Sequence, residues 1–490
     1  MSERVLKIIL LLLALLGLAV LVIPFTAEAQ THIYRSIQNN TSAIWASGST
    51  ITLTVNDTVA TFSSDAPDSI GRGCAIEYDS TGSSSVKAIC FIKYRTNKRT
   101  FGVQRFQGGT PAQRVAGTTT WNVFHAYTTY ENFHNGSENT GINATVRGFD
   151  AHTDGINIDA RGEYWHVAFY AGAHDLTGTQ GGDDMDTSPT EMLELYAPCG
   201  RYYVGVSQRH TGKLTYRGAV FTGGGANGWI TNDDAGNRVC QDVIFNGLQW
   251  DITGIGARDA LTINSSQAGL VQNYLITDCI FHGSDSVATS TTSHYALNWS
   301  TGTSSNGGKV KVINSTFYGW KTAATTTNEG ALLFTSVNIA DSLLVEGCTI
   351  YACQDGIKRS NAGNVLIIRN TITNRCNDGF NGGIAGSYNV SDIASDCGAC
   401  TNMVTGTVKF TAQSTGDFTL HSTDTAAMNA GVTTAAGSLL APTTDIRNYT
   451  RTGTMDIGAF SYGESTSGCS TEITPASTSP VLYRRRVPPQ

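Results

Sequence analysis

A short acidic loop is the clearest candidate for chemistry in this sequence. Residues 181–186 read Gly-Gly-Asp-Asp-Met-Asp. Asp183, Asp184 and Asp186 stand so close together that their carboxylates repel one another, and a hard cation with oxygen ligands relieves that repulsion. The loop is therefore a candidate calcium site, with residues 232–234 (Asn-Asp-Asp) as a weaker one. An acidic surface loop that binds no ion is the commoner interpretation of such a sequence, and we expect it here.

Basic and aromatic side chains give weaker signals. Lys311 and Arg369 lie in or beside apolar runs, and we expect them on the solvated surface because no carboxylates stand at matching positions. Trp121, Tyr127 and Trp320 have rings that could stack on sugars, although core packing is the commoner role. The histidines without metal-ligand spacing are His125, His134, His152, His166, His174 and His210. None of these residues identifies a catalytic group.

A repeat in the second half of the chain sets the elements that must position any site. Each copy has an aliphatic pair, a small or polar bend and one large apolar residue. The copies are residues 243–248, 275–281, 312–317, 344–350 and 367–372. The closing apolar residues are Leu248, Phe281, Phe317, Ile350 and Ile372, which recur every 22 to 36 residues. Such a recurrence predicts stacked structural units.

The repeat favours short strands wound into a coil. The runs are rich in Val, Ile, Phe and Thr, and the bends carry residues that tolerate a left-handed backbone. In a parallel β-helix, equivalent positions of successive turns lie about 4.8 Å apart. We therefore expect Phe281 to stack on Phe317 and Ile350 on Ile372. The expected column at the bend is Asn246, Cys279, Ser315, Cys348 and Asn370. The alternative is a set of unrelated strands in a β-sandwich.

Composition and the N-terminus indicate an exported protein. The chain has 490 residues, a formal charge of −7 and only 14% charged residues. This mildly acidic balance argues against a nucleic-acid partner. Arg4 and Lys7 precede an apolar run over residues 8–23, and residues 27–29 read Ala-Glu-Ala. We expect a signal peptide cleaved after Ala29 and no membrane span afterwards, with an uncleaved membrane anchor as the alternative.

Eleven cysteines imply that some pair in an exported protein. The candidate pairs are Cys74 with Cys90 across a hairpin, Cys353 with Cys376 between adjacent turns, and Cys397 with Cys400 within a loop. The last pair could also remain as free thiols. Cys279 and Cys348 are expected to be small buried residues of the bend column.

The chain divides into six regions by pattern. They are a signal peptide (1–29), an N-terminal β region (30–115), irregular early turns of the coil (116–239), the regular parallel β-helix (240–400), a C-terminal closing unit of the coil (401–463) and a disordered tail (464–490). The N-terminal β region is expected to cap the open end of the coil, where unpaired strand edges would otherwise promote aggregation.

The repeat resembles the right-handed parallel β-helix, or pectate-lyase-like, superfamily. The chain over residues 401–463 sharpens this resemblance. Residues 417–420, 426–431, 445–447, Arg451 and 456–460 are similar to the closing segment of secreted bacterial β-helix proteins, often called choice-of-anchor Q domains. In this chain Asn429 stands near the position of the usual Asp. The predicted fold class is therefore all-β: a right-handed parallel β-helix solenoid with a small N-terminal β region.

The resemblance is specific for fold and weak for activity, because this fold carries many functions. Its lyases bind calcium through carboxylates and use a nearby Lys or Arg as base, and its hydrolases use clustered Asp residues. Residues 153–158 resemble one element of polygalacturonases, but the remaining elements of that motif set do not follow. Asp-Gly-Ile also recurs at residues 355–357, which favours a turn.

These observations predict a secreted or cell-surface β-helix protein with a structural or polysaccharide-binding role. The expected partner is a polysaccharide or cell-envelope glycan that lies along the outer face of the coil. The alternative is a carbohydrate-active enzyme, a polysaccharide lyase before a glycoside hydrolase. A third hypothesis is a phage or filament component, although a signal peptide argues against a tailspike.

Overall fold

The structure is a computed structural model. It describes residues 30–463 except 49, 151, 153–154, 176–184, 216, 223–228, 232–239, 254–258, 266–270, 284–293, 302–306, 322–328, 337–339, 362–363 and 434–440. The side chains of 229–231, 265 and 301 are also outside the description. The predicted signal peptide and tail both lie outside the described residues. No helix in the described part of the chain is long and apolar enough to cross a membrane.

Short strands make up most of the described chain. In the N-terminal third they are β1 (Thr31–Ile37), β2 (Trp45–Ala46), β3 (Leu53–Asn56), β4 (Val59–Phe62), β5 (Ala75–Tyr78), β6 (Ala88–Arg95), β7 (Thr100–Gln104), β8 (Arg114–Thr118) and β9 (Trp121–Phe124). Two short helices follow, α1 (Tyr130–His134) and α2 (Ile158–Arg161). The side chains of Thr129 and Asn157 cap their first turns.

The remaining strands follow in chain order. They are β10 (Glu163–Phe169), β11 (Gly172–Asp175), β12 (Leu193–Tyr196), β13 (Ala219–Thr222), β14 (Trp229–Thr231), β15 (Asp242–Asn246), β16 (Gln249–Asp251), β17 (Leu261–Ser265), β18 (Asn273–Thr277), β19 (Ile280–His282), β20 (His294–Thr301), β21 (Lys309–Ile313), β22 (Thr316–Tyr318), β23 (Glu329–Phe334), β24 (Ser342–Glu346), β25 (Thr349–Tyr351), β26 (Asp355–Arg359), β27 (Val365–Arg369), β28 (Ile372–Asn374), β29 (Asp378–Asn381), β30 (Ala385–Ser387), β31 (Val390–Ser391), β32 (Ala399–Thr401), β33 (Val404–Thr405), β34 (Phe410–Ala412) and β35 (Asp417–Leu420). A 3₁₀ turn spans Gln413–Thr415.

Three parallel sheets wind into a β-helix. Sheet A has the strand order β1-β10-β12-β15-β18-β21-β24-β27-β30-β32, sheet B has β11-β13-β16-β19-β22-β25-β28-β31-β33, and sheet C has β14-β17-β20-β23-β26-β29. From β15 onward the chain visits A, B and C in turn as far as β29, so each turn supplies one strand to every sheet. The predicted all-β fold, a parallel β-helix solenoid, is confirmed.

Like residues stack inside the coil. The rings of Phe281 and Phe317 lie 4.8 Å apart at an angle of 6°, and Trp250 stacks on Phe281 at 4.4 Å. The predicted stack of Ile350 on Ile372 is wrong, because Ile350 lies opposite Thr373. Ile372 lies opposite Thr349 instead, because the bend before each strand sets the register and not the large apolar residue.

A left-handed residue marks that bend in every regular turn. Gly247, Asp278, Asn314, Gly347 and Asn370 all have positive φ angles and occupy one position of the repeat. The next position is the column Leu248, Cys279, Ser315, Cys348 and Thr371, which backbone hydrogen bonds link through the following residue. The prediction of Asn246 and Asn370 in this column is therefore wrong, whereas Cys279, Ser315 and Cys348 are confirmed as its members.

A separate antiparallel sheet forms the N-terminal part of the chain. Its order is β2-β9-β5-β6-β7-β4-β3-β8, whereas β1 joins sheet A. Its core includes Trp121 and Ile76 and extends onto Ala168 and Tyr196 of the coil. The hydrophobic contact between this sheet and the first turns creates a junction above the outer surface of sheet A.

Two of the three predicted cysteine pairs are not disulfides in the structure. Cys397 and Cys400 form a disulfide, as expected for one of their two alternatives. Cys74, Cys90, Cys353 and Cys376 are buried free thiols, so those pairings are wrong. Ile76 lies opposite Cys90, because the hairpin is centred one residue beyond Gly82. The Cys353 and Cys376 thiols each donate to a carbonyl of their own turn, at 3.5 and 3.8 Å.

The C-terminal part of the chain packs along the side of the coil. We name residues 441–463 the covering segment. Together with the hairpin β34–β35, the covering segment forms an apolar cluster with sheet B. Phe418 lies 5.1 Å from the ring of Tyr351, and Ile457 and Phe460 are buried in the same cluster. This segment therefore covers the corner between sheets A and B.

Candidate functional site

The candidate calcium loop is described only in part. Asp183 and Asp184 lie outside the described residues, as do residues 153–154 and 232–234. Asp186 accepts a hydrogen bond from Asn157 Nδ2 at 2.7 Å. Across the described part of the chain, no group of three or more His, Cys, Asp or Glu side chains could hold a metal ion. The calcium site stays an untested candidate.

The aromatic residues that the sequence offered as sugar platforms are all buried. Trp121, Tyr127 and Trp320 each have 0% exposure and belong to the core. Arg369 is also buried, and its Nε donates to Glu346 Oε2 at 2.6 Å. The prediction of a solvated Arg369 is wrong because the covering segment lies over this part of sheet A.

A different cluster stands on the outer face of sheet A at its N-terminal end. We name it the aromatic patch; its members are His32, Tyr34, Tyr164, His166, Glu194 and Tyr196 from the sheet, with Arg72, Tyr202 and Tyr203 from the neighbouring loops. Strand alternation places these sheet residues outward, because Ile33, Trp165 and Leu195 between them point into the core. The sheet thereby fixes the spacing of the outward rings.

The rings of the patch stack on one another. His166 lies between Tyr34 and Tyr164, with ring centroids 4.8 and 4.3 Å away and interplanar angles of 10° and 20°. His32 stacks on His166 at 5.1 Å. Tyr34 and His166 are buried and hold the slab rigidly, whereas His32 and Tyr164 are half-buried, so the slab meets solvent through these two rings. Rigid, flat rings of this kind bind apolar sugar faces at low entropic cost.

A hydrogen-bonded chain runs through the patch. His32 Nδ1 and His166 Nε2 lie 2.9 Å apart, and His166 Nδ1 lies 2.6 Å from Glu194 Oε2. Burial lowers the pKa of His32 to about 4, and burial also lowers the pKa of His166, although Glu194 opposes this. Burial disfavours an ionised Glu194, but its bond to His166 holds the pKa of that carboxyl below its usual value.

These directions assign the protons at neutral pH. Both histidines are neutral and Glu194 is ionised, so His166 Nδ1–H donates to Glu194 and His166 Nε2 accepts from His32 Nδ1–H. The chain then leaves His32 Nε2 as a lone-pair nitrogen. Chemically, it offers a hydrogen-bond acceptor for a sugar hydroxyl or a base for proton transfer.

Arg72 forms the rim of the patch. Its guanidinium carbon lies 3.9 Å from the ring centre of Tyr203 and 5.0 Å from that of Tyr34. Arg72 Nε donates to the carbonyl of Lys93 at 2.7 Å. Tyr202 continues the rim and stacks on Tyr94 at 4.9 Å. The side chain is therefore held in one orientation by two rings and one backbone bond.

An outward strip continues from the patch along sheet A. Its members, in register with Glu194, are Ile244, Leu275, Lys311, Leu344 and Ile367. Successive strands lie about 4.8 Å apart, and Ile244, Leu275 and Lys311 are half-buried, so the strip extends the patch along three strands before it reaches Leu344, which is buried. An elongated surface suits an extended polymer better than a compact small molecule.

Sequence reasoning missed this patch although a signal for it existed. The alternations His32-Ile33-Tyr34 and Tyr164-Trp165-His166 each place two polar rings on one face of a strand. The sequence did not show that β1 and β10 are neighbours, since more than a hundred residues separate them. Comparison with protein-family models, with curated proteins and with solved structures found no match to this chain. The function is therefore inferred from the chemistry of the patch.

Proposed function

We propose that this chain is a secreted or cell-surface β-helix protein that binds a polysaccharide or cell-envelope glycan on the aromatic patch. The observation that carries the proposal is the slab of stacked Tyr34, His166 and Tyr164 rings on an outward sheet face. Sugar rings present C–H faces that pack on aromatic rings and hydroxyls that need polar partners. The patch offers both at one place.

The polar partners stand at the edges of the rings. His32 Nε2 is an acceptor, and the hydroxyls of Tyr202 and Tyr203 add donors on half-buried side chains. The strip beyond Glu194 supplies room for further sugar units along the coil. A chain of sugars lying across successive strands would bury the strip that starts at Ile244 and Leu275.

Binding to a panel of soluble polysaccharides tests the proposal. Titration calorimetry on the purified chain should reveal at least one ligand, and Tyr164→Ala and Tyr203→Ala should each weaken its binding by roughly three- to tenfold. Tyr462→Ala is the matched control, because Tyr462 is 41% exposed on the covering segment. Equal weakening by Tyr462→Ala, or no binding to any polymer, would contradict the proposal.

The proposal includes membership in the pectate-lyase-like superfamily and a closing segment like that of secreted bacterial β-helix proteins. The residues that carry this likeness fasten the covering segment. Asp456 accepts from the backbone N–H groups of Asn429 and Tyr462, both at 2.7 Å, and Gly458 N donates to Asn370 O at 2.8 Å. A motif with such a structural role supports shared architecture more than shared activity.

A polysaccharide lyase is the second candidate, and the chain from Glu194 through His166 to His32 favours it. A lone-pair nitrogen beside a guanidinium has the groups for removing a proton next to a sugar carboxylate. Release of an ultraviolet-absorbing unsaturated sugar from a uronic-acid polymer would support this activity. His32→Gln should then abolish the release while the polymer still binds.

A further inference from the structure

A small cavity of about 250 Å³ opens at the edge of the N-terminal antiparallel sheet. We name it the hydroxyl cavity; its lining is Thr52, Asp79, Gly82, Ser84, Arg114 and residues 116–120. Five of these residues carry hydroxyl side chains, and the uncharged remainder are glycine and alanine. Sites for drug-sized ligands are usually larger, about 300–1,000 Å³, and mostly apolar. The hydroxyl cavity therefore suits a small polar group, and it shares no residue with the aromatic patch.

Arg114 is a cation without a partner in this cavity. Arg114 is half-buried, and within the described residues no carboxylate oxygen lies within 4.0 Å of its guanidinium nitrogens. The buried arginines Arg35, Arg95, Arg209 and Arg369, by contrast, each form an ion pair. A charge taken partly out of water is costly unless an opposite charge or hydrogen bonds replace the solvent.

The fold holds this guanidinium against the cavity wall. Arg114 lies opposite the core residue Val55 in the sheet, and its side chain reaches the loop between β5 and β6. A Cβ atom at Gly82 would lie 3.2 Å from Nη1 of Arg114, so glycine lets the loop approach the guanidinium closely. Nε of Arg114 is buried without a hydrogen-bond partner. The two terminal nitrogens are therefore the donors that remain for a ligand.

The carboxylate in the wall does not neutralise Arg114. Oδ1 of Asp79 accepts from the backbone N–H groups of Thr81 and Gly82, at 2.9 and 2.8 Å. Its Oδ2 accepts from the N–H of Ser84 at 2.8 Å. Burial disfavours an ionised Asp79, but these donors hold the pKa of its carboxyl below the usual value. The loop thus stabilises its own negative charge, and the positive charge of Arg114 is left without compensation.

Hydroxyl groups form the rest of the cavity wall. Within the described residues, the side-chain hydroxyls of Thr52, Ser84, Thr119 and Thr120 make no hydrogen bond to protein. They belong to three separate segments, so they can donate to a ligand from several sides. The two oxygens of a carboxylate lie in one plane, whereas a phosphate group has at least three acceptor oxygens in different directions. This arrangement favours a tetrahedral oxyanion.

We infer that the hydroxyl cavity binds a phosphate or sulfate group, either as the free anion or at the end of a small sugar. Guanidinium groups bind such oxyanions through paired N–H donors, so Arg114 supplies the cationic partner. The hydroxyls of Thr119 and Thr120 donate to the remaining oxygens. This site is additional to the glycan site proposed on the aromatic patch, and either one can exist without the other.

Line broadening in ³¹P nuclear magnetic resonance tests the inference. The purified chain is titrated with inorganic phosphate and with a hexose phosphate at constant ionic strength, and sulfate and acetate are added as competitors. We expect a Kd of about 1–10 mM, since a few charge-assisted hydrogen bonds at a solvated site give affinities in this range. Sulfate should displace phosphate, and acetate should do so about fivefold or more weakly.

Substitutions assign the binding to the cavity. Arg114→Gln should weaken phosphate binding about tenfold or more, whereas Arg114→Lys should keep part of the affinity. Arg105→Gln is the matched control, because Arg105 belongs to the same region, is exposed and lies outside the cavity. A melting curve of each variant checks the fold. Should Arg114→Gln fail to fold, the exposed Thr119→Ala replaces it and should weaken binding about two- to fivefold.

The results separate the oxyanion site from unspecific attraction. Phosphate binding that Arg114→Gln removes and Arg105→Gln retains supports the inference. A hexose phosphate that binds about threefold or more tightly than inorganic phosphate then identifies a phosphorylated sugar as the ligand, and equal affinity identifies the free anion. No broadening at about ten times the expected Kd, equal loss in both arginine variants, or acetate competing as well as sulfate would overturn it.

Discussion

The two ends of sheet A carry the same kinds of side chain in opposite circumstances. At the C-terminal end, Arg369 and Glu346 point outward, are buried under the covering segment and bond to each other at 2.6 Å. At the N-terminal end, Arg72 stands at the rim of the aromatic patch, where it is half-buried and has no carboxylate in reach among the described residues. An outward charge is therefore structural where it is covered and paired.

The cover at the C-terminal end is specific rather than incidental. Arg451 donates to Asn314 Oδ1 at 3.2 Å and to the carbonyl of Gly458 at 2.7 Å. Gly458 has a φ of +102°, and a Cβ atom there would lie 2.5 Å from Ile372 Cδ1. The left-handed backbone and the close packing of the Ile372 side chain therefore favour glycine at this position. The covering segment is an integral part of the coil surface.

The strongest test of the comparison is to break the covered ion pair. Arg369→Ala leaves Glu346 buried and unpaired, which should lower the free energy of unfolding by about 3–5 kcal/mol. Urea unfolding followed by circular dichroism measures the change. Lys311→Ala, on the same sheet face but half-buried, is the control and should cost within about 0.5 kcal/mol.

A double variant sharpens this result. Glu346→Gln combined with Arg369→Gln removes both charges, so it should recover part of the stability that Arg369→Ala loses. If Arg369→Ala is no more costly than Lys311→Ala, the pair is not structural. The distinction drawn between the two ends of sheet A would then be wrong.

Acid should act with opposite sign on the buried histidines and on Glu346. Burial lowers the pKa of His125 to about 3, of His174 to about 4 and of His210 to about 3. The unfolded chain binds protons at these groups first, so stability is present above about pH 6.5 and is lost as the pH falls toward 4. At the covered end, burial raises the pKa of Glu346, although Arg369 opposes this. Ionised Glu346 therefore destabilises the folded protein at neutral pH, and this destabilisation disappears as the pH falls through the pKa of Glu346 in the folded state.

Two variants separate these contributions. His210→Gln should flatten the pH dependence of the free energy of unfolding between pH 6.5 and 4, by up to about 1.4 kcal/mol per pH unit. Glu346→Gln should steepen it, because the group of opposite sign is gone. Urea unfolding at several pH values measures both slopes. A flatter slope for Glu346→Gln would contradict the assignment of its raised pKa.

The sequence predicted the coil because its signal is local and repeated. Short β-branched runs and polar bends determine each turn, and stacking of Phe281 on Phe317 follows from the period. The repeat pattern did not fix the register of the strands. The left-handed residue, such as Asn370, sets the register, and the large apolar residue that follows does not. The aromatic patch was missed because it assembles from segments far apart in the chain. Neither His32 beside His166 nor Arg72 above Tyr34 can be read from spacing.

The smallest expected effect concerns a left-handed asparagine, which occurs once beneath the covering segment and once on the exposed surface. Asn314 and Asn402 both have left-handed bends, with φ of 49° and 52°. Asn314 Nδ2 donates to Thr444 O at 2.6 Å beneath the covering segment, whereas Asn402 is exposed at the last turn. Replacement by Ala imposes the steric cost of a left-handed non-glycine residue at both sites, about 1–2 kcal/mol.

The difference in stability cost between Asn314→Ala and Asn402→Ala measures what the contacts with the covering segment contribute. Asn402→Ala should cost about 1 kcal/mol and Asn314→Ala about 1–2 kcal/mol more, because Asn314 also loses its hydrogen bonds to the covering segment. Asn402→Gly and Asn314→Gly relieve the backbone strain and leave only the side-chain loss, so the glycine variants should differ by the same amount. Equal costs at the two sites in urea unfolding would show that the covering segment adds no stability at this corner.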